Sequence, residues 1–290
     1  MYATQVDFLH VCYYYFRRRS VHLVQSFECN LDCPFCSTNL FLRKRYNIET
    51  TNTISTEYVD KAIEYLRGDG LLVISGGEPM LHPDICQYIC DQCRKNKIIS
   101  VLYSNGFWGT DEATIEKVKK EIKPDYLGLS IDKVHNSKIP LKTIYNIVDN
   151  FMGDDVSTRV YFNHLPEIGL KEKLPDKYKK LFCQPIQLFQ TVPDSTICTR
   201  LGYELLPNGM VEAFCEKKMH HPCYCGKLED MSLKKIIKKH KQPIQCVFHK
   251  EKKTFKTVLN YFFRRTLTLY TLLLGCHLIV KFRDGISKIR

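Results

Sequence analysis

Cys29, Cys33 and Cys36 stand close together in the segment ECNLDCPFC. Thiolates are soft ligands that suit zinc or iron–sulfur clusters. Asn30, Asp32 and Pro34 break helical continuity, so this segment reads as a loop carrying three sulfurs. Three thiolates can hold three irons of a cubane and leave the fourth iron open to another ligand. A zinc site would want four protein ligands if structural, or three and an open position if catalytic.

The same spacing occurs again at Cys86, Cys90 and Cys93, in PDICQYICDQCRKNK. That segment reads as helical, and the three positions share one helical face with Ile85 and Ile89. Reduced cysteine buries as a small hydrophobe, so this triplet reads as core packing. A third group, Cys198, Cys215, Cys223, Cys225 and Cys246, lies further along, while Cys12, Cys183 and Cys276 are isolated and read as structural. The chain has 14 cysteines in 290 residues, yet it is long enough to bury a core without disulfides. Met1 to His10 carries no positive charge, and Arg17, Arg18 and Arg19 follow the apolar residues instead of preceding them. The expectation is therefore no secretory signal, a cytoplasmic setting, and reduced thiols that ligate metals or clusters.

The elements that must position these residues alternate. Strands are expected at Val21–Phe27, Leu71–Ser75, Ile98–Tyr103, Tyr126–Ile131, Val156–Phe162 and Ile186–Gln190. Helices are expected at Thr56–Arg67, Pro83–Lys95, Asp111–Glu121, Leu141–Phe151 and Pro175–Leu181. Six such units imply an α/β fold, a partial (β/α)6 TIM-type barrel with a parallel sheet. Chemistry in such barrels sits on loops that follow the strands. The first cysteine triplet lies on one such loop. After residue 192 the pattern changes to a hairpin over Tyr203–Phe214 about Asn208-Gly209. The expected division is a barrel over 1–192, a cysteine-bearing hairpin and helix extension over 193–250, and a tail over 251–290.

The second strand ends in Ser75-Gly76-Gly77-Glu78-Pro79. A cysteine loop after the first strand and a Gly-Gly-Glu-Pro turn after the second resemble the radical S-adenosylmethionine (SAM) enzymes. The glycines would let backbone approach a ligand closely, and Glu78 could accept hydrogen bonds from an ammonium. Phe35 matches the aromatic that the family often places near the adenine. Ser104-Asn105-Gly106 is similar to its Thr-Asn-Gly, and Ser130-Ile131-Asp132 falls where its polar side chains meet SAM. The resemblance covers residues 20 to 190. It implies that Cys29, Cys33 and Cys36 ligate a [4Fe-4S] cluster. It implies that Phe35, Gly76, Gly77, Glu78, Pro79, Ser104, Asn105, Ser130 and Asp132 form the SAM pocket.

It further implies reductive cleavage of SAM, fed by a reductant such as flavodoxin or ferredoxin. The products are methionine and a 5′-deoxyadenosyl radical, which abstracts hydrogen from a peptide or small-metabolite substrate. His135 and Tyr103 are candidates to face the barrel mouth as acid, base or hydrogen donor. The later cysteines resemble the start of the SPASM or shorter twitch extension. That likeness implies one auxiliary [4Fe-4S] cluster on Cys198, Cys215 and two of Cys223, Cys225 and Cys246. Zinc competes there, because His220 and His221 precede Cys223.

Hydrophobic residues make up 44% and charged residues 26% of the chain, which excludes a disordered polymer. The net charge of +12 is uneven: residues 231–290 carry 15 Lys or Arg against Glu251 and Asp284. The remainder is close to neutral. Within this tail Thr266 to Val280 is apolar, shorter than the roughly 20 residues of a spanning helix, and flanked by arginines and lysine. It reads first as packing on the barrel and second as peripheral membrane contact. Third comes RNA, which would make the chain an RNA-modifying radical enzyme. A zinc-stabilised binding protein is the non-enzymatic alternative.

Overall fold

A computed structural model describes residues 20–34, 36, 43, 46–68, 70–152, 156–163, 174–179, 181, 200–215 and 223–241. The chain divides into two units, Met1–Ile244 and Gln245–Arg290, and every described residue lies in the first. Strands β1 (Ser20–Val24), β2 (Gly70–Ser75), β3 (Ile98–Ser104), β4 (Tyr126–Ser130) and β5 (Arg159–Asn163) alternate with helices. These are α1 (Thr56–Leu66), α2 (Pro83–Lys95), α3 (Glu112–Lys117), α4 (Lys133–Lys138), α5 (Leu141–Phe151) and the short α6 (Asp176–Lys179). Then come β6 (Arg200–Leu205), β7 (Met210–Cys215), β8 (Cys223–Lys227) and α7 (Leu233–Lys241).

One sheet holds all eight strands in the order β5-β4-β3-β2-β1-β6-β7-β8. The five leading strands pair in parallel, as the alternating pattern requires. β2 is buried on both faces, which explains why LLVIS lacks polar alternation. Leu72 and Ile74 join the large core under the helices, while Leu71 and Val73 join Val101, Tyr126 and Tyr161 on the other face. Helix α1 is capped by Ser55, which accepts from the Tyr58 N–H, and buries Val59, Ala62, Ile63 and Leu66 at helical spacing.

The α/β architecture with a parallel sheet is as expected, and the differences are in its details. The expected helix at Asp111–Glu121 is capped by the Asp111 side chain and passes into a π-helical turn at Val118–Ile122. β5 begins at Arg159, three residues later than expected. Helix α4 has no counterpart in the apolar periodicity; the Asp132 carboxylate nucleates it by accepting from the Val134 and His135 N–H groups. The Asn-Gly hairpin forms, and its first strand, β6, pairs in parallel with β1. The hairpin thereby covers the β1 edge and continues the sheet. The expected strand Ile186–Gln190 lies outside the described residues.

Candidate functional site

The cysteine loop continues β1 and runs beside the residues that follow β2. The Gln25 N–H donates to the Ser75 carbonyl (2.7 Å), the Gly77 N–H to Ser26 (2.8 Å) and the Glu78 N–H to Glu28 (2.8 Å). The glycines permit this approach. A Cβ on Gly76, whose φ is +142°, would lie 2.4 Å from the Ser26 oxygen, and one on Gly77 would lie 1.9 Å from the Glu28 oxygen. These glycines thus serve contact with the backbone leading to Cys29. Across the loop, Glu28 Oε2 meets His82 Nε2 at 3.0 Å, and Gln25 Nε2 donates to the His82 carbonyl at 2.9 Å.

Glu78 is 1% exposed. Its Oε1 accepts from Ser104 Oγ (2.8 Å) and the Met80 N–H (3.0 Å), and its Oε2 accepts from the Asn105 N–H (2.7 Å). Burial pushes its pKa up to about 7, against the pull of these three donors. The carboxylate therefore ties the end of β2 to the end of β3. Ser104 is the other half of that tie. Its hydroxyl donates to Glu78 and accepts from Gly106 N–H (3.0 Å) and Trp108 Nε1 (2.9 Å). One donor and two acceptor sites are all a hydroxyl has. Ser104, expected to line the SAM pocket, uses its hydroxyl to fix Glu78. Pro79 opens the buried 3-10 turn Pro79–Leu81.

Asn105 reaches the cysteine loop itself: its Nδ2 donates to Asn30 Oδ1 at 2.8 Å, while its Oδ1 accepts from the Phe107 N–H at 3.0 Å. Asn30 marked the loop in the sequence, but nothing there indicated this partner. Ser130 closes β4, half-buried, opposite Asn163 in the register.

Asp132 is 2% exposed. Oδ1 caps α4, and Oδ2 lies 2.5 Å from His135 Nδ1. Burial raises this carboxyl, but the bonds from His135 outweigh it and hold the group below the usual carboxylate range. Oriented this way, His135 Nε2 lies 3.7 Å from the Cys33 sulfur. His135 thus faces the cysteine loop. Tyr103 packs edge-on to Tyr161, ring centres 6.1 Å apart, over Gly128.

Cys29, Cys33 and Cys36 are half-buried and free of disulfides. A turn closed by the Cys36 N–H on the Cys33 carbonyl (3.1 Å) holds the last two, and the Leu31 N–H donates to the Cys29 sulfur (3.4 Å). Burial pushes the Cys29 thiol up to about 11, helped by the charges of Glu78, Cys36 and Cys33. Burial also raises Cys33, with Cys36, Asp132 and Asp32 adding to it. A cationic centre reverses that balance by favouring thiolates, so the loop fits a metal centre. Among the described residues no three His, Cys, Asp or Glu side chains converge on a single ion. A cubane asks for one thiolate per iron instead. The second triplet is different: Cys86, Cys90 and Cys93 are wholly buried on α2 with Ile89, as core packing requires.

Of the later cysteines, Cys223 lies opposite Ala213 in the β7–β8 register, and Cys215 ends β7 two residues beyond Ala213. Cys225 is half-buried against the main core. Phe35, Cys198, His220, His221 and Cys246 lie outside the described residues.

The model of the radical SAM superfamily matches residues 24–158. The chain is 31% identical over 111 residues to the antilisterial bacteriocin subtilosin biosynthesis protein AlbA of Bacillus subtilis (strain 168); the match covers 38% of this chain and 23% of that protein's length. Its fold resembles the crystal structure of BtrN in complex with AdoMet and 2-DOIA, with a TM-score of 0.52 and 15% identity over 77% of this chain and 82% of that one. Residues 24–158 run from the last residue of β1 to the residue before β5, so the match to the radical SAM superfamily takes in the cysteine loop and the turn after β2.

Proposed function

We propose that the chain is a radical SAM enzyme that modifies, by net oxidation, a peptide substrate. The observation that carries this reading is the half-buried cysteine loop after β1, locked against the Gly-Gly-Glu turn after β2. Cys29, Cys33 and Cys36 would hold a [4Fe-4S] cluster. With SAM bound, that centre would supply a 5′-deoxyadenosyl radical at the expense of one electron from a flavodoxin or ferredoxin. The protein's own residues position and shield. Glu78 uses three of about four acceptor sites to hold the β2 and β3 ends together, and one site remains for an ammonium. Asn105 holds the loop through Asn30, and Asp132 aims His135 at Cys33. Tyr103 and Tyr161 fill the sheet face opposite the helices and exclude water from it.

A peptide is favoured over a small metabolite by the likeness to AlbA, whose name places it in bacteriocin biosynthesis. Cys198, Cys215, Cys223, Cys225 and Cys246 would supply an auxiliary cluster, with Cys215 and Cys223 supported by their nearness in register. That cluster would accept the electron released in a net oxidation.

The test is anaerobic purification followed by iron and sulfide analysis and an assay for 5′-deoxyadenosine with a chemical reductant. Four irons and four sulfides per cluster, with nucleoside released from SAM, are expected. Changing Cys29, Cys33 and Cys36 together to Ala should abolish release and leave roughly half the iron on the later cysteines. Zinc near one per chain, with no sulfide, would overturn both assignments.

A further inference from the structure

We propose that the outer face of α7 is a docking surface for anionic lipid bilayers. Helix α7 reads LKKIIKKHK and buries Leu233, Ile236 and Ile237 against β8 and α1. Lys234, Lys235, Lys238 and Lys239 are exposed on the remaining face. None of the four makes an ion pair with a described residue, although acids are near. Glu229 is taken by Lys227 (2.6 Å) and Tyr58 (2.8 Å), Glu57 by Lys61 (2.7 Å) and Asp60 by Tyr88 (2.8 Å). Asp230 and Glu64 are exposed and unengaged by these lysines.

The two faces of α7 set the kind of contact. Its apolar residues are committed to the protein core, so the helix cannot insert into a bilayer as a free amphipathic helix does. It can contribute only charge, at a fixed spacing. A surface of anionic headgroups is the partner that such a face fits, at about 1 kcal/mol per lysine, or about fivefold each. The sequence that follows favours lipid over nucleic acid. Positive charge continues from Lys241 to Arg265, then Thr266–Val280 is apolar and bracketed by Arg264, Arg265, Lys281 and Arg283. An apolar run between cations matches a partner that is anionic outside and apolar beneath, whereas nucleic-acid phosphates offer it nothing.

The experiment is vesicle co-sedimentation of the full chain. Phosphatidylglycerol–phosphatidylcholine vesicles are compared with pure phosphatidylcholine, at low and high salt. The native chain should bind only the anionic vesicles. Changing all four lysines to Gln should weaken that binding by roughly 600-fold. The double variants K234Q/K238Q and K235Q/K239Q should each weaken it about 25-fold. These are surface changes, so iron content and melting temperature should stay at native values. The proposal is overturned if the quadruple variant binds like the native chain, because binding then comes from elsewhere. It is equally overturned if the native chain ignores anionic vesicles, or if these lysines are needed for a single-stranded RNA homopolymer while vesicles go unbound.

Discussion

The Nε2 atom of His135 lies 3.7 Å from the sulfur of Cys33, although 102 residues separate them in the chain. Asp132 sets that geometry. It begins α4 with one carboxylate oxygen and fixes the imidazole with the other, so capping a helix and aiming a ring are one arrangement. Partners of this kind around a metal ligand are typically worth tenfold or more in metal affinity. His135→Ala should therefore lose bound iron during anaerobic gel filtration, by roughly tenfold in affinity. The fold should survive, because the cap uses the backbone N–H of residue 135. His135→Gln, which keeps a side-chain amide, should retain more iron than the Ala variant. Equal iron retention in all three proteins would show that the ring only packs.

Gly77 and Gly68 make a second comparison. Both are glycines at the ends of secondary structure, but only Gly77 has backbone in the way. A methyl on Gly68 meets nothing within 4 Å and costs only the strain of its φ of +84°, about 1 kcal/mol. A methyl on Gly77 would overlap the Glu28 carbonyl at 1.9 Å, so the cysteine loop must move. Gly77→Ala should lower stability by roughly 2–4 kcal/mol in urea and abolish cluster loading, while Gly68→Ala loads normally. Normal loading by both variants would detach the Gly-Gly turn from the cysteine loop.

These glycines also mark how far the sequence could be read. Ser75-Gly76-Gly77-Glu78 identified the turn, because two glycines after a buried strand demand close approach of something. They did not say that the something was the chain's own residues 26–28. In the same way Ser104 and Asp132 could be chosen as polar residues closing strands. Whether such a group meets a ligand or engages Gly106, Trp108 or His135 depends on how the few residues after the strand fold back on it, which hydropathy does not encode. Helix α4 escaped notice because SIDKVHNSK has a cap but no apolar period, and His135 then lacked a helix to aim it. What read well was local: the paired strands, the amphipathic faces of α1, α2 and α5, and the Asn208-Gly209 turn. The pairing of β6 with β1 is a contact across almost the whole described chain, and no local pattern encodes it.

Burial gives Glu78 a pH signature. Its folded pKa is raised to about 7 from an ordinary value near 4.5. A raised carboxyl means that the folded protein binds a proton more tightly than the unfolded chain. Stability is then greatest below the unfolded value and falls as pH rises between about 4.5 and about 7. The full step is about 3 kcal/mol for a group this buried. Urea titrations of metal-free protein across that range should show the fall, and Glu78→Gln, which cannot titrate, should flatten it. A native profile parallel to that of the Gln variant would mean that the three donors keep Glu78 ionised throughout.

The two triplets with identical spacing allow the site assignment itself to be tested. Positions separated by four and then three residues form one face of a helix, and α2 uses them so: Cys86, Cys90 and Cys93 are wholly buried with Ile89. Asn30 and Pro34 prevent a helix in the first triplet, and the same spacing there yields three half-buried sulfurs on a braced loop. Cys90→Ala removes one sulfur atom from the core. It should cost about 1 kcal/mol of stability and leave iron content and 5′-deoxyadenosine release intact. Cys33→Ala removes a half-exposed atom and little packing. It should leave the melting temperature of the metal-free protein near native while abolishing nucleoside release. The two variants thus separate stability from chemistry in opposite directions. Iron lost from Cys90→Ala and kept by Cys33→Ala would move the centre to α2, where burial holds the thiol far up at about 12, and would sink the radical SAM site as drawn.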